Sequence, residues 1–137
     1  MSTPADDIPT SSGAPNPEPG LDRRIDVVLP ARTEMAATLR VICASLGADL
    51  GFSVDEIDDL RLAVNEVFTT VADDDLGRLE ASFELGDGSI GVRLSVVGGA
   101  PIRLDALAST ILRSLVGDLG LDDGSVSFTK RRDETNG

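Results

Sequence analysis

Glu66 and Thr70 are the side chains in this sequence whose types and spacing are best suited to chemistry. A carboxylate at a helix edge that faces a site could serve as a catalytic base. Residues four apart stack on one side of a helix, and the run from Ile57 to Asp75 supplies that helix. Its apolar residues Ile57, Leu60, Val64, Val67, Phe68 and Val71 recur at helical spacing and form one stripe that must be packed. Glu66 and Thr70 lie beside this stripe. A glutamate on the flank of an amphipathic helix is ordinarily just solvated, so the pair becomes a site only if another element faces it.

Few other residues offer chemistry. Arg40 follows Leu39 at the edge of an earlier apolar stripe, and arginine is the side chain best suited to anchor a protein interface. Cys43 falls inside that stripe and reads as an inert core thiol. Asp73, Asp74 and Asp75 are adjacent, so their carboxylates diverge and read as a solvated cluster rather than a cation site. Gly98 and Gly99 read as a turn. With no histidine and one cysteine, most catalytic triads, most zinc sites and any internal disulfide are excluded.

The charge balance narrows the partners. A formal net charge of −12, with eleven arginines and one lysine scattered along the chain, argues against a nucleic acid or an anionic membrane as direct partner. A basic protein suits it better. Four phenylalanines without Tyr or Trp leave no platform for stacking bases. No stretch approaches the roughly 20 apolar residues that span a bilayer, and the N-terminus lacks a signal-peptide pattern, so the cytoplasm is the expected location.

The elements that would position these residues are legible in outline. Residues 1–22 hold five of the seven prolines and are expected to be a disordered tail. One domain is expected over 23–132, and 133–137 reads as a polar C-terminal tail. A short strand covers Ile25 to Leu29. Thr33 can cap a helix carrying Met35, Leu39, Ile42, Cys43 and Leu46, which stops at Gly51. Ser53 and Glu56 form a capping box for the long helix, which should fray at its acidic end before Gly77. Two alternating runs, 78–85 and 89–97, flank Gly86-Asp87-Gly88 and predict a hairpin with Leu79, Ala81, Phe83, Leu85, Ile90, Val92, Leu94 and Val96 on one face. Asp105 can cap a third helix that buries Leu107, Ala108, Ile111, Leu112 and Leu115. Two final strands follow, the last with Val126 and Phe128 inward. This order predicts an α/β two-layer sandwich, its sheet mixed but mainly antiparallel and its helices on one face.

The run LRLAVNEVFTT, from Leu60 to Thr70, resembles the pattern LAVxExxTNA of the anti-sigma-factor serine kinases, partner-switching regulators related to histidine kinases and Hsp90 ATPases. The resemblance implies the Bergerat ATPase fold, with Glu66 at the catalytic base and Thr70 where the family has a magnesium-binding asparagine. ILRSLVGDLGLDDGSVSFTKR is similar to the family's closing segment, GTxVxLxK. It sets Gly124 and Ser125 on the Gly-Thr step and so implies nucleotide contact by Ser125. The first helix aligns without gaps and puts Arg40 on the position of an arginine that grips the sigma factor. The resemblance extends over residues 25–132.

The middle of the chain departs from the pattern. Active members carry DxGxG after the strand that here ends near Val97, with the aspartate reading the adenine amino group. This chain has SVVGGAPIR, which keeps Gly98 and Gly99 as candidate nucleotide contacts and has valines in place of the acid. The lid and second glycine box are shortened to LDALASTIL. A buried base edge without its carboxylate typically costs about 1 to 3 kcal/mol, and loss of the lid removes phosphate contacts and water exclusion. The expectation is a homodimeric anti-sigma-type regulator that binds a sigma factor, an antagonist protein or both through a surface including Arg40, with its ATP and magnesium site degraded. The alternative is an active serine kinase that phosphorylates its antagonist.

Overall fold

The structure, a computed structural model, describes residues 23–71 and 74–133. The expected N-terminal tail and residues 134–137 lie outside that range. Along the chain come β1 (Arg24–Ala31), a 3-10 turn (Thr33–Met35), α1 (Ala36–Asp49), α2 (Val54–Phe68), β2 (Asp74–Leu85), β3 (Ser89–Val97), α3 (Ala106–Leu115), β4 (Gly117–Asp122) and β5 (Ser125–Arg131). The strands form one sheet in the order β1-β2-β3-β5-β4. Every pairing in it is antiparallel, so the sheet sits at the antiparallel limit of the mixed arrangement expected.

Period-two alternation decides which face is covered. Paired residues Leu79, Ala81 and Phe83 on β2, Val92 and Leu94 on β3, and Val126 and Phe128 on β5 are all buried. Their sequence neighbours Glu80, Glu84 and Arg93 are exposed on the opposite face. The three helices supply the other half of the core, through Leu39 and Cys43 on α1, Leu60, Val64 and Val67 on α2, and Leu112 on α3. α2 lies in the middle of this layer, packed against α1 on one flank and α3 on the other.

The hairpin forms as its sequence requires. Gly86 N–H donates to the Ser89 carbonyl at 2.8 Å, and Gly88 takes φ +79°, the left-handed conformation glycine adopts without strain. Three local expectations are corrected. The central helix begins at Val54 and ends at Phe68, several residues short of the acidic run, and Asp74 pairs instead with Ala31 at the start of β2. Thr69 and Thr70 turn their hydroxyls back onto the Glu66 and Val67 carbonyls at 2.6 and 2.8 Å, a back-bonding that competes with helix propagation. Thr33 does not cap α1, which is entered through the 3-10 turn with Met35 at the N-cap and no side-chain cap bond. Leu107, expected inward, is 69% exposed, because the buried stripe of α3 is centred on Ala108 and Leu112 and leaves Leu107 at its far edge.

The start of α2 is tied down from three directions. Ser53 Oγ accepts from Glu56 N–H at 3.1 Å while Glu56 Oε1 accepts from Ser53 N–H at 2.7 Å, which closes the capping box. The second carboxylate oxygen of Glu56 accepts the N–H of Asp133. Arg132 donates its backbone N–H to the Gly88 carbonyl at 2.7 Å and its guanidinium to the Leu50 carbonyl at 2.8 Å. The chain leaving β5 thus fastens the α1–α2 turn to the hairpin. The Ser53 N–H, and after it the Asp133 N–H and the Ser53 hydroxyl, hold the Glu56 carboxyl below its ordinary pKa of 4.5. A depressed carboxyl contributes stability above its unfolded pKa and loses it as pH falls through the folded value. Urea unfolding of wild type and Glu56→Gln is therefore expected to show a midpoint gap at neutral pH that closes as pH falls below the ordinary glutamate pKa of 4.5 and the carboxyl protonates.

Candidate functional site

One ammonium orients the helical layer. Lys130 Nζ donates to Asp59 Oδ2 and to the Leu115 carbonyl, each at 2.9 Å, so the start of α2 and the end of α3 both lie over the end of β5. α2 and α3 therefore run antiparallel. The far end of α2 must then lie at the opposite end of the sheet, where β3 finishes and β5 begins. Glu66, Thr70, Gly98, Gly99 and Ser125 accordingly share one end of the domain. Asp59 and Glu66 stand at i and i+7 within α2, so the flank that Asp59 turns towards Lys130 and α3 also carries Glu66, while Thr70 lies beyond the helix end.

Glu66 is half-buried, and its carboxylate makes no hydrogen bond or ion pair with another described residue. Thr70 lies just past the helix end with its hydroxyl proton committed to the Val67 carbonyl. The segment after β3 lies down on the core. Val96 is half-buried and packs against it, whereas Val97 stands 43% exposed on the other face. Ile102 is 4% exposed and donates its N–H to the Gly124 carbonyl at 3.2 Å, next to Ser125. A Cβ on Gly124 would stand 2.5 Å from the Pro101 side chain, so the crossing requires glycine there. Gly98 takes φ +80°, and Gly99 is half-buried beside it. Asp105 then caps α3, its carboxylate accepting from Ala108 N–H at 2.8 Å.

Among the described residues no three His, Cys, Asp or Glu side chains gather to hold a metal ion. Burial pushes the Cys43 thiol up to about 12, which leaves it protonated and unreactive. No helix among the described residues is long and apolar enough to cross a membrane.

Arg40 is placed on the other flank of α2. It is half-buried, and its guanidinium donates to Asn65 Oδ1 at 2.8 Å across the α1–α2 contact. A surface groove of about 490 Å³ opens there, lined by Arg40, Asp58, Arg61, Leu62 and Asn65. Leu62 is 55% exposed, and Arg61 keeps only a loose 3.4 Å contact with Asp58. The sequence reading singled out Arg40 and missed Asn65, Arg61 and Leu62. A signal was present, since Asp58, Arg61 and Asn65 at i, i+3 and i+7 form a second polar line on the helix that carries Glu66.

No family model matches the chain. Among curated proteins it is similar to the "Serine-protein kinase RsbW" of Bacillus cereus, 24% identical over 92 residues, which is 64% of this chain and 57% of the relative. It is also similar to the protein of the same name from Halalkalibacterium halodurans, 33% identical over 64 residues, covering 44% of this chain and 40% of the relative. The chain thus spans about half the length of these relatives. Among solved structures it is similar to the RsbU and RsbW domains of a Mycobacterium tuberculosis protein, with a TM-score of 0.54, 17% identity, and coverage of 80% of this chain and 32% of that one. The fold is of the GHKL ATPase type. In sequence the chain is RsbW-like, at low identity.

The Arg40–Asn65 bond joins a charged donor to a half-buried acceptor. A double-mutant cycle of Arg40→Ala and Asn65→Ala in urea is expected to give a coupling of about 0.5 to 1.5 kcal/mol, reduced from the usual range for charged bonds by partial solvent access.

Proposed function

We propose that this protein is an anti-sigma-type partner-switching regulator, one that binds a sigma factor, an antagonist protein or both through the α1–α2 groove around Arg40, and that its nucleotide site is largely given up. The observation that carries the reading is the anchoring of the short 98–105 connection, with Ile102 buried in the core and bonded to Gly124 at the place where the resemblance implies a lid. A nucleotide cradle needs backbone free to approach phosphates and a carboxylate facing the base edge. At the corresponding place Val96 packs against the core. The residues present fit ATP and magnesium poorly, because Thr70 spends its hydroxyl proton on Val67 and only Glu66 stands beside it.

The groove supports the binding half of the proposal. Asn65 holds the Arg40 guanidinium at one position, which lowers the entropy a partner must overcome, and the exposed Leu62 offers apolar area next to it. The acidic chain as a whole draws in a basic, DNA-binding partner, since opposite charge speeds encounter. Homodimerisation and a cytoplasmic location belong to the same proposal. One observation favours the kinase alternative: the Glu66 carboxylate has no partner among the described residues and is available as a base.

Two measurements test the reading. Affinity capture from the native cell extract, with proteins identified by mass spectrometry, is expected to retain a sigma factor or an antagonist on wild type and to lose it with Arg40→Ala; retention of neither on wild type would remove the assignment. Calorimetry with Mg-ATP is expected to show no binding tighter than about millimolar. Micromolar, magnesium-dependent binding, with phosphate transfer to the antagonist abolished by Glu66→Ala, would establish the kinase instead.

A further inference from the structure

The sheet face opposite the helices carries a second, separate site. Register aligns Asp26, Ser82, Arg93, Ser127 and Gly120 in one row across all five strands, and Arg24, Glu84, Gly91, Thr129 and Gly117 in the next. Gly91 on β3 and Ser127 and Thr129 on β5 are small, so the rows enclose a trough of about 280 Å³ floored by these three residues. Its far wall is made by a bulge. The β4–β5 register slips between Gly117 and Gly120, Asp118 takes φ +54°, and its carboxylate stands at the edge of the trough paired to Arg131 at 2.7 Å.

The charges around this trough are not all spent on one another. Arg24 is engaged by Asp26 at 3.0 Å and by the Ser82 hydroxyl at 3.4 Å, and Asp118 by Arg131. The side chains of Arg93 and Glu84 make no hydrogen bond or ion pair with any other described residue, although both line the trough. They stand diagonally on adjacent strands, where Cβ atoms lie about 7 to 8 Å apart. The trough therefore offers one uncommitted guanidinium and one uncommitted carboxylate side by side, with hydroxyls between them and the bulge.

We propose that this trough binds a small zwitterion of the α-amino-acid type, its carboxylate held by Arg93 with the Ser127 hydroxyl and its ammonium held by Glu84. A bare anion fits less well, since Glu84 and Asp118 stand on the walls and the chain carries a net charge of −12. A bare cation would face Arg93 and Arg24. A ligand of zero net charge escapes both repulsions and uses both free groups. The volume, about 280 Å³, lies just below the range of about 300 to 1,000 Å³ for ligand pockets, which limits the occupant to about the size of one residue.

The test is a ¹⁵N NMR titration of the full chain with glycine, L-serine and L-glutamine, with acetate and methylammonium as single-charge controls. At least one amino acid is expected to shift the Gly91, Ser127 and Thr129 amides saturably in the millimolar range, with each control weaker by about tenfold or more. Arg93→Gln and Glu84→Gln should each weaken that binding by about tenfold while leaving the urea midpoint unchanged, since both side chains are exposed. The proposal is overturned if no amino acid shifts these amides, if acetate or methylammonium binds as well as the amino acid, or if both variants bind like wild type. None of these outcomes depends on the α1–α2 groove or on nucleotide.

Discussion

A single ammonium group holds the helical layer in register with the sheet. Lys130, the only lysine in the chain, has a side chain just 14% exposed, and an ion so far out of water is tolerated only when its protons are matched. It is matched twice, by a carboxylate from one helix and a terminal carbonyl from another, both at 2.9 Å. The carbonyl is one that the end of α3 would otherwise leave without a partner inside the helix. Because the same nitrogen serves β5, α2 and α3, a slip of any one element would strand a charge or a carbonyl in the interior. The antiparallel course of the two helices, and the end of the sheet to which Glu66 is carried, follow from that requirement.

With α2 fixed in this way its two flanks acquire different characters. The flank towards α3 carries Asp59 and Glu66 and meets a short connection that has settled onto the core through Ile102. The flank towards α1 carries Asp58, Arg61 and Asn65 and stays open as a groove. One helix thus separates the candidate site around Glu66 from the groove around Arg40.

Much of this was legible in the residues themselves. The stripe from Leu60 to Val71 was read as buried and is, and the alternation in β2 and β3 gave the correct inner face, because each period reports directly on which side must leave water. The capping box at Ser53 and the turn at Gly86 to Gly88 were readable because each is closed by residues within four positions of one another. The stop of α2 was harder to place. Apolar periodicity continued through Val71, but two consecutive threonines could bond to their own helix and Asp74 could pair with Ala31 of β1, and periodicity is blind to both effects.

The sequence by itself determined the two-layer class, the covered face of the sheet, and the place of Glu66 beside a packed stripe, since these depend on spacing along one element. Only the tertiary structure decided that Arg40 meets Asn65, that Ile102 closes over the turn at Gly124, and that the side chains of Arg93 and Glu84 are left without partners on the outer face. Each of these joins residues on different elements, and their approach is set by how helices and strands pack rather than by any local pattern. The Arg40–Asn65 contact shows this most directly, for both residues lie on helices that were anticipated, and neither helix alone specifies which side chain of the other it will meet.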